Sequence, residues 1–185
     1  MAKLENYELI FQPYNSAWRY PTNKGLRIFI NYMMDKKPDY FLAPKNINIW
    51  ENNYESVFNS IHRITYDLSK NTGEISFVIL EEWGILEYSW ISSFIEKNMK
   101  SLWWNFLNIV KVLEERVAFI NLMSSINTSE NVTVILWDES KIAYLKDYSI
   151  IVRPVLISGK RWYIGLIGSL RMDYSFNISA LRGII

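Results

Sequence analysis

The feature that most limits the folds open to this chain is a pair of β-rich runs near its C-terminal end. These are Tyr148–Ile157 and Trp162–Ile167, joined by Ser158-Gly159-Lys160. β-Branched and aromatic residues flanking a short glycine-containing link specify an antiparallel hairpin. Gly168-Ser169-Leu170 is expected to end its second strand, and Asp173-Tyr174-Ser175 to lead into a final short helix.

The elements upstream follow a consistent order. Asn52 with Glu55 resembles a capping box, opening a helix to about Lys70 with Val57, Ile61, Ile64 and Leu68 at helical spacing. A turn at Asn71-Thr72-Gly73 precedes strand Ile75–Leu80, and Glu81-Glu82-Trp83-Gly84 connects it to strand Ile85–Ile91. Ser93 with Glu96 opens the longest helix, expected to run unbroken to about Ser124. Its apolar residues Ile95, Met99, Leu102, Phe106, Ile109 and Leu113 fall close to a heptad seam. Packing on a sheet is the default reading of that seam, and a dimer contact the alternative. After a polar break at residues 124–131 comes strand Val132–Trp137, then a short turn at Ile142–Leu145. The order α-β-β-α-β-β-β-α predicts an α+β domain, an antiparallel sheet with its helices segregated on one side.

The N-terminal stretch reads separately. Residues 9–12 form a short strand stopped by Pro13, Asn15-Ser16 sits in a turn, and Pro21-Thr22 marks a boundary. Thr22 can cap a helix carrying Leu26, Ile28, Phe29, Ile30, Tyr32 and Met33, with Pro38 and Pro44 closing it. Residues 1–37 hold six basic and three acidic residues, against 14 and 16 in the remainder. That places a small basic piece on a slightly acidic body and points weakly to an anionic partner.

Much chemistry is excluded by composition. The 185 residues include no Cys and one His, so thiol nucleophiles, zinc-thiolate sites and His clusters are absent. His62 rides alone on its helix and reads as a surface histidine. The pairs Glu81-Glu82 and Glu114-Glu115 cannot converge on one site, because adjacent side chains point apart. Gly165 to Gly168 lacks the Lys-Ser/Thr of a phosphate loop, so close strand packing explains those glycines better. No enzyme activity, metal or cofactor is expected. No basic n-region with an apolar run opens the chain and no apolar stretch is long enough to span a membrane, so a soluble cytoplasmic protein is expected.

Two segments resemble a known family. Met1-Ala2, Leu4-Glu5, Gln12-Pro13, Ser16-Ala17, Arg19, Pro21-Thr22, Lys24-Gly25 and Arg27 match, without a gap, a stretch of HrcA-type heat-inducible transcription repressors. Near the other end, Ile164-Gly165-Leu166-Ile167-Gly168 with Arg171-Met172-Asp173-Tyr174 is similar to that family's signature. Asp147-Tyr148-Ser149-Ile150-Ile151 and Val112-Leu113-Glu114-Glu115 resemble further segments of it. The resemblance implies a stress-responsive repressor of chaperone operons that binds an inverted-repeat operator as a dimer and answers to chaperonin availability. It also implies a GAF-like α+β body. Residues 1–37 would be the residual wing and exit helix of a winged-helix domain, 38–51 a connector, and 52–185 the GAF-like domain.

Under this resemblance Ser16, Arg19, Thr22 and Lys24 are the DNA contacts of the wing, while Gly165, Gly168, Arg171, Met172, Asp173 and Tyr174 are structural, Asp173 capping the last helix. Met1 falls where the family's recognition helix ends, so the groove-reading helices are expected to be missing and operator binding weak or lost. The stretch between Ile91 and Asn105 is too short for the family's inserted dimerisation domain. Trp18 and Trp137 stand where the family has glycine. A true start upstream of Met1 is one expectation from these departures, and a drifting gene the other. The alternative function is a GAF-like interaction or dimerisation module that does not read DNA.

Overall fold

A computed structural model describes residues 1–35, 54–89, 103–126, 132–136, 145, 148–157 and 159–184. The chain divides into two compact units, Met1–Asp39 and Tyr40–Ile185.

The first unit contains helix α1 (Ala2–Asn6), strands β1 (Ile10–Phe11) and β2 (Tyr20–Pro21), and helix α2 (Asn23–Asp35). β1 and β2 pair antiparallel, with Ile10 opposite Pro21 and Phe11 opposite Tyr20. The Phe11 and Tyr20 rings lie 5.9 Å apart at the base of this hairpin. Leu26 and Ile30 form the buried stripe of α2. α1 is not foreshadowed in the sequence, because its five residues show no apolar period.

The second unit is built on the ribbon expected from the sequence. Strands β6 (Tyr148–Ile157) and β7 (Lys160–Ser169) pair along their whole length, from Tyr148 opposite Ser169 to Ile157 opposite Lys160. They sit in a five-stranded antiparallel sheet with β3 (Ile75–Leu80), β4 (Ile85–Ser89) and β5 (Thr133–Leu136), ordered β4-β3-β7-β6-β5. The expected strand break at Gly168-Ser169-Leu170 comes later than predicted, because Gly168 and Ser169 still pair with Ser149 and Tyr148. The remaining helices are α3 (Tyr54–Thr72), α4 (Trp103–Glu114), α5 (Arg116–Ser125) and α6 (Tyr174–Arg182).

These helices cover both faces of the sheet, which corrects the expectation of one. Alternate strand residues point to opposite faces. Ile75, Phe77 and Ile79 of β3 pack with Ile150, Val152, Tyr163 and Ile167 against Ile109, Leu113, Phe119 and Met123 of α4 and α5. The rings of Phe77 and Phe119 meet edge to face at 5.0 Å. On the other face, Ser76 bonds Ser69 of α3, and Ser149 bonds the Tyr174 hydroxyl of α6. The physical cause is that every residue of β3 is buried. A strand buried on both sides needs a cover on each.

The long helix is also corrected. Glu115 has φ −75° and ψ 53°, which ends α4 and starts α5. At this break the Arg116 Nη2 donates to the Leu86 carbonyl of edge strand β4 at 3.0 Å. Both helices keep their apolar stripes on the sheet, with Ile109 and Leu113 before the break and Phe119 and Met123 after it. Residues 93–102, including Ile95, Met99 and Leu102, lie outside the described residues, as do Asn52, the connector 38–51, Ile91 and Trp137.

Candidate nucleic-acid interface

The first unit is tied together chiefly by side chains bonding to backbone. Thr22 Oγ1 donates to the Glu8 carbonyl at 2.6 Å and accepts from the Gly25 N–H at 3.1 Å. It therefore caps α2 and at the same time joins that helix to the chain leaving α1. Glu8 itself has φ 58°, a left-handed conformation unusual for glutamate. The Thr22 N–H bonds the Leu9 carbonyl at 3.0 Å, and the Lys24 ammonium donates to the Tyr7 carbonyl at 3.0 Å. Gly25 lies so close to Leu9 that a Cβ there would fall 1.9 Å from the Leu9 carbonyl oxygen. Only glycine permits that approach.

The hairpin loop is braced from within. Ala17 N–H bonds the Tyr14 carbonyl at 2.8 Å, closing a turn with Asn15 and Ser16 at its corners. Gln12 Nε2 donates to the carbonyls of Asn15 and Ala17 at 2.9 and 2.8 Å. Of the four wing residues singled out from the sequence, Ser16 sits exposed at the turn. Arg19 follows the turn and pairs through Nε with Glu5 Oε1 at 2.7 Å. Thr22 and Lys24 spend hydrogen bonds on Glu8 and Tyr7, and Lys24 lies 4.0 Å from Glu8 Oε2. The structure brings Arg19, Thr22 and Lys24 together around the α1–β1 junction. Sequence reasoning noted Trp18 only as a departure from the family pattern and did not offer it as a contact, nor Tyr14, yet they are 85% and 67% exposed. The only signal was a tryptophan in a polar turn.

The second group of residues lies in the other unit and forms the turn from β7 into α6. A Cβ on Gly165 would meet the Phe77 ring at 2.3 Å and the Ile151 carbonyl oxygen at 2.7 Å. One on Gly168 would meet the Glu74 carboxylate at 2.6 Å and the Met172 sulfur at 3.2 Å. Met172 is buried there, its N–H bonded to the Ser169 carbonyl at 3.0 Å. Asp173 Oδ1 accepts from the Phe176 N–H at 3.0 Å, capping α6. Tyr174 is buried, with its hydroxyl 2.9 Å from Ser149 Oγ. Arg171 is exposed, and its N–H bonds Ser169 Oγ.

Several other polar groups among the described residues are engaged in contacts within the protein. Glu82 pairs with Lys160 at 2.9 Å, whose ammonium also lies 4.3 Å from the centre of the Trp83 ring. Glu81 accepts from the Tyr163 hydroxyl at 3.4 Å, so the two adjacent acids diverge. His62 is exposed, with Nδ1 3.5 Å from Glu87 Oε1. Among the described residues no group of His, Cys, Asp or Glu is arranged to hold a metal, and no helix is long and apolar enough to cross a membrane. A groove of about 420 Å³ between the β3–β4 turn and α5 is lined by Gly84, Ile85, Arg116, Val117, Ile120 and Asn121. Its one cationic side chain is the arginine already bonded to Leu86.

Comparison with known proteins places this architecture. A solved structure titled "Crystal structure of a hypothetical protein at 2.2 A resolution" superposes with a TM-score of 0.71 at 13% identity, covering 98% of this chain and 82% of that one. At that identity the likeness is one of fold. No curated protein matches. A sequence model described as "HrcA protein C terminal domain" matches residues 92–178, which span α4, α5, β5, β6, β7 and the first turn of α6. That domain has the GAF-like α+β fold seen here, and HrcA proteins are transcription regulators rather than enzymes. Over residues 92–178 the chain is thus similar to the C-terminal domain of HrcA heat-shock repressors.

Proposed function

We propose that the protein is a repressor of chaperone operons whose first unit is the wing and exit helix of a winged-helix domain. In this reading residues 1–37 grip DNA, 38–51 connect, and 52–185 form the regulatory body, in the cytoplasm. The observation that carries it is the braced hairpin at residues 10–21, joined to α2 through Thr22, Lys24 and Gly25, in a chain that bears the HrcA C-terminal domain. In this reading Ser16 and Arg19 on that hairpin meet phosphate oxygens, with Thr22 and Lys24 as further contacts. Phosphate contacts position a protein but carry little sequence information. The operator therefore needs further elements to be read.

Anisotropy titration with an inverted-repeat duplex and a scrambled duplex, at about 0.05 and 0.2 M salt, tests this. Salt-labile binding is expected, with Arg19→Gln reducing the salt slope by about one. Failure to bind either duplex at the lower salt would overturn the reading.

A second reading has its own support. Arg19, Thr22 and Lys24 all make intramolecular bonds, which leaves them less free to meet DNA. Val117, 73% exposed on α5, sits beside the apolar groove. Both observations favour a GAF-like interaction module that pairs with a second copy or a chaperonin. An unchanged monomer mass in sedimentation, alone and with chaperonin, would count against it.

A further inference from the structure

We infer that Trp18 is an apolar wedge that enters a base step of duplex DNA, with Tyr14 as its flanking support. This rests on the wing reading above and adds a contact of a different kind, to bases instead of phosphates.

The first argument is presentation. Trp18 is 85% exposed although it follows a turn closed by Ala17 and Tyr14 and braced twice by Gln12. A loop fixed by three hydrogen bonds does not let its tryptophan fold back onto apolar surface. The nearby ring pair of Phe11 and Tyr20 at the hairpin base does not include it. Tryptophan is among the largest apolar surfaces a side chain can bury on binding. Left in water, that surface adds nothing to folding and stays available for a partner to bury.

The second argument is what surrounds it. Tyr14, 67% exposed, stands at the other end of the same turn. Arg19 is the next residue along, and Lys24 bonds the backbone at the foot of the hairpin. The described residues 1–35 carry four basic side chains, Lys3, Arg19, Lys24 and Arg27, against three acidic ones, Glu5, Glu8 and Asp35. An aromatic tip flanked by cations matches a polyanion that also offers flat apolar faces, which is duplex DNA opened at a base step. Minor-groove proteins insert apolar side chains in this way, partly unstacking the step while basic residues hold the backbone.

The test uses the full chain and a short mixed-sequence duplex carrying 2-aminopurine at a TA step, which unstacks easily. The wild type is expected to raise 2-aminopurine emission on binding. Trp18→Ala is expected to bind about tenfold more weakly, within the range for loss of one stacked aromatic. Its salt slope should be unchanged, since no phosphate contact is lost. Trp18→Phe should recover most of both signals. The side chain is exposed, so Trp18→Ala should melt as the wild type does. Salt-sensitive wild-type binding with equal affinity for Trp18→Ala would overturn the wedge and leave the wing reading standing. No wild-type binding at low salt would overturn both. Trp18-dependent binding to anionic phospholipid vesicles without any 2-aminopurine response would overturn the wedge in favour of a membrane surface.

Discussion

Gly165 tests how tightly the sheet centre is packed. It stands opposite Phe77 on β3 and Val152 on β6, in the middle of the sheet. An added Cβ would lie 2.3 Å from Phe77 Cζ and 2.7 Å from the Ile151 carbonyl oxygen, where contact normally begins beyond about 3.4 Å. The Phe77 ring must move by more than an ångström, yet it is fully buried and meets Phe119 edge to face at 5.0 Å. Overpacking of this kind costs about 1–3 kcal/mol, and the additional backbone clash places Gly165→Ala at the upper end, about 3 kcal/mol. For a chain of this size that is a fall in melting temperature of roughly 6–12 °C. Phe77→Leu alone should cost about 1–2 kcal/mol by shortening the side chain. In the double variant the two costs should fail to add by about 1 kcal/mol, because the shorter side chain makes room for the methyl. Rescue stays incomplete, since the Ile151 carbonyl is backbone and cannot move away. Urea unfolding followed by far-UV circular dichroism measures all four corners of the cycle. Strict additivity, or a Gly165→Ala cost under 1 kcal/mol, would refute the packing argument.

Three further outcomes follow from other parts of the structure. Arg153 Nη1 lies 3.1, 2.8 and 3.1 Å from the carbonyls of Leu181, Arg182 and Ile184, so Arg153→Met should unfold at lower urea, costing about 2–3 kcal/mol through loss of a charged donor to the carbonyls at and just beyond the end of α6. Asp173→Ala should cost about 1 kcal/mol through loss of the α6 cap, and Asp173→Asn much less, as read by the urea midpoint. Thr22→Val removes both the α2 cap and the bond to Glu8, so amide exchange in residues 8–25 should accelerate by about tenfold or more while β6 and β7 stay protected.

The parts of the fold that were legible are those in which local chemistry and tertiary burial agree. β3 and β6 begin and end where the apolar runs do, because turn residues flank them. α2 and α6 start after Thr22 and Asp173 because each side chain accepts a backbone N–H of its helix. The break at Glu115 carried no such mark, since neither glycine nor proline stands there, and the Arg116 bond beside it reaches a carbonyl 30 residues away. Two-sided burial was readable in principle from Ile75-Ser76-Phe77-Val78-Ile79-Leu80, a nearly continuous apolar run. Ser76 disguised it. Its hydroxyl looks like a solvent-facing residue, but it is buried with Thr65 and Ser69, whose small side chains let α3 lie close to the sheet. The strand continues through Gly168 for a similar reason. The glycine that looked like a breaker is the residue that fits beside Glu74 and Met172.

At Thr22 and Lys24, folding and the proposed DNA contact draw on the same atoms. A unit of about 40 residues cannot be held by apolar burial alone. This one has no disulfide, and among its described residues only Leu26 and Ile30 are buried. Its stability therefore leans on Thr22, Lys24 and Gly25, the residues that fasten α2 to the chain around Tyr7, Glu8 and Leu9. Substituting Lys24 removes a cation and also a bond to the Tyr7 carbonyl, so lost DNA binding in Lys24→Gln would report on both. Arg19 is the cleaner probe of charge, since its partner is the exposed end of Glu5 and the pair is worth little in water. Trp18 is the cleanest of all, because its side chain is 85% exposed and takes no part in the buried stripe of α2. A loss of binding in Trp18→Ala with an unchanged melt can only be a loss of contact.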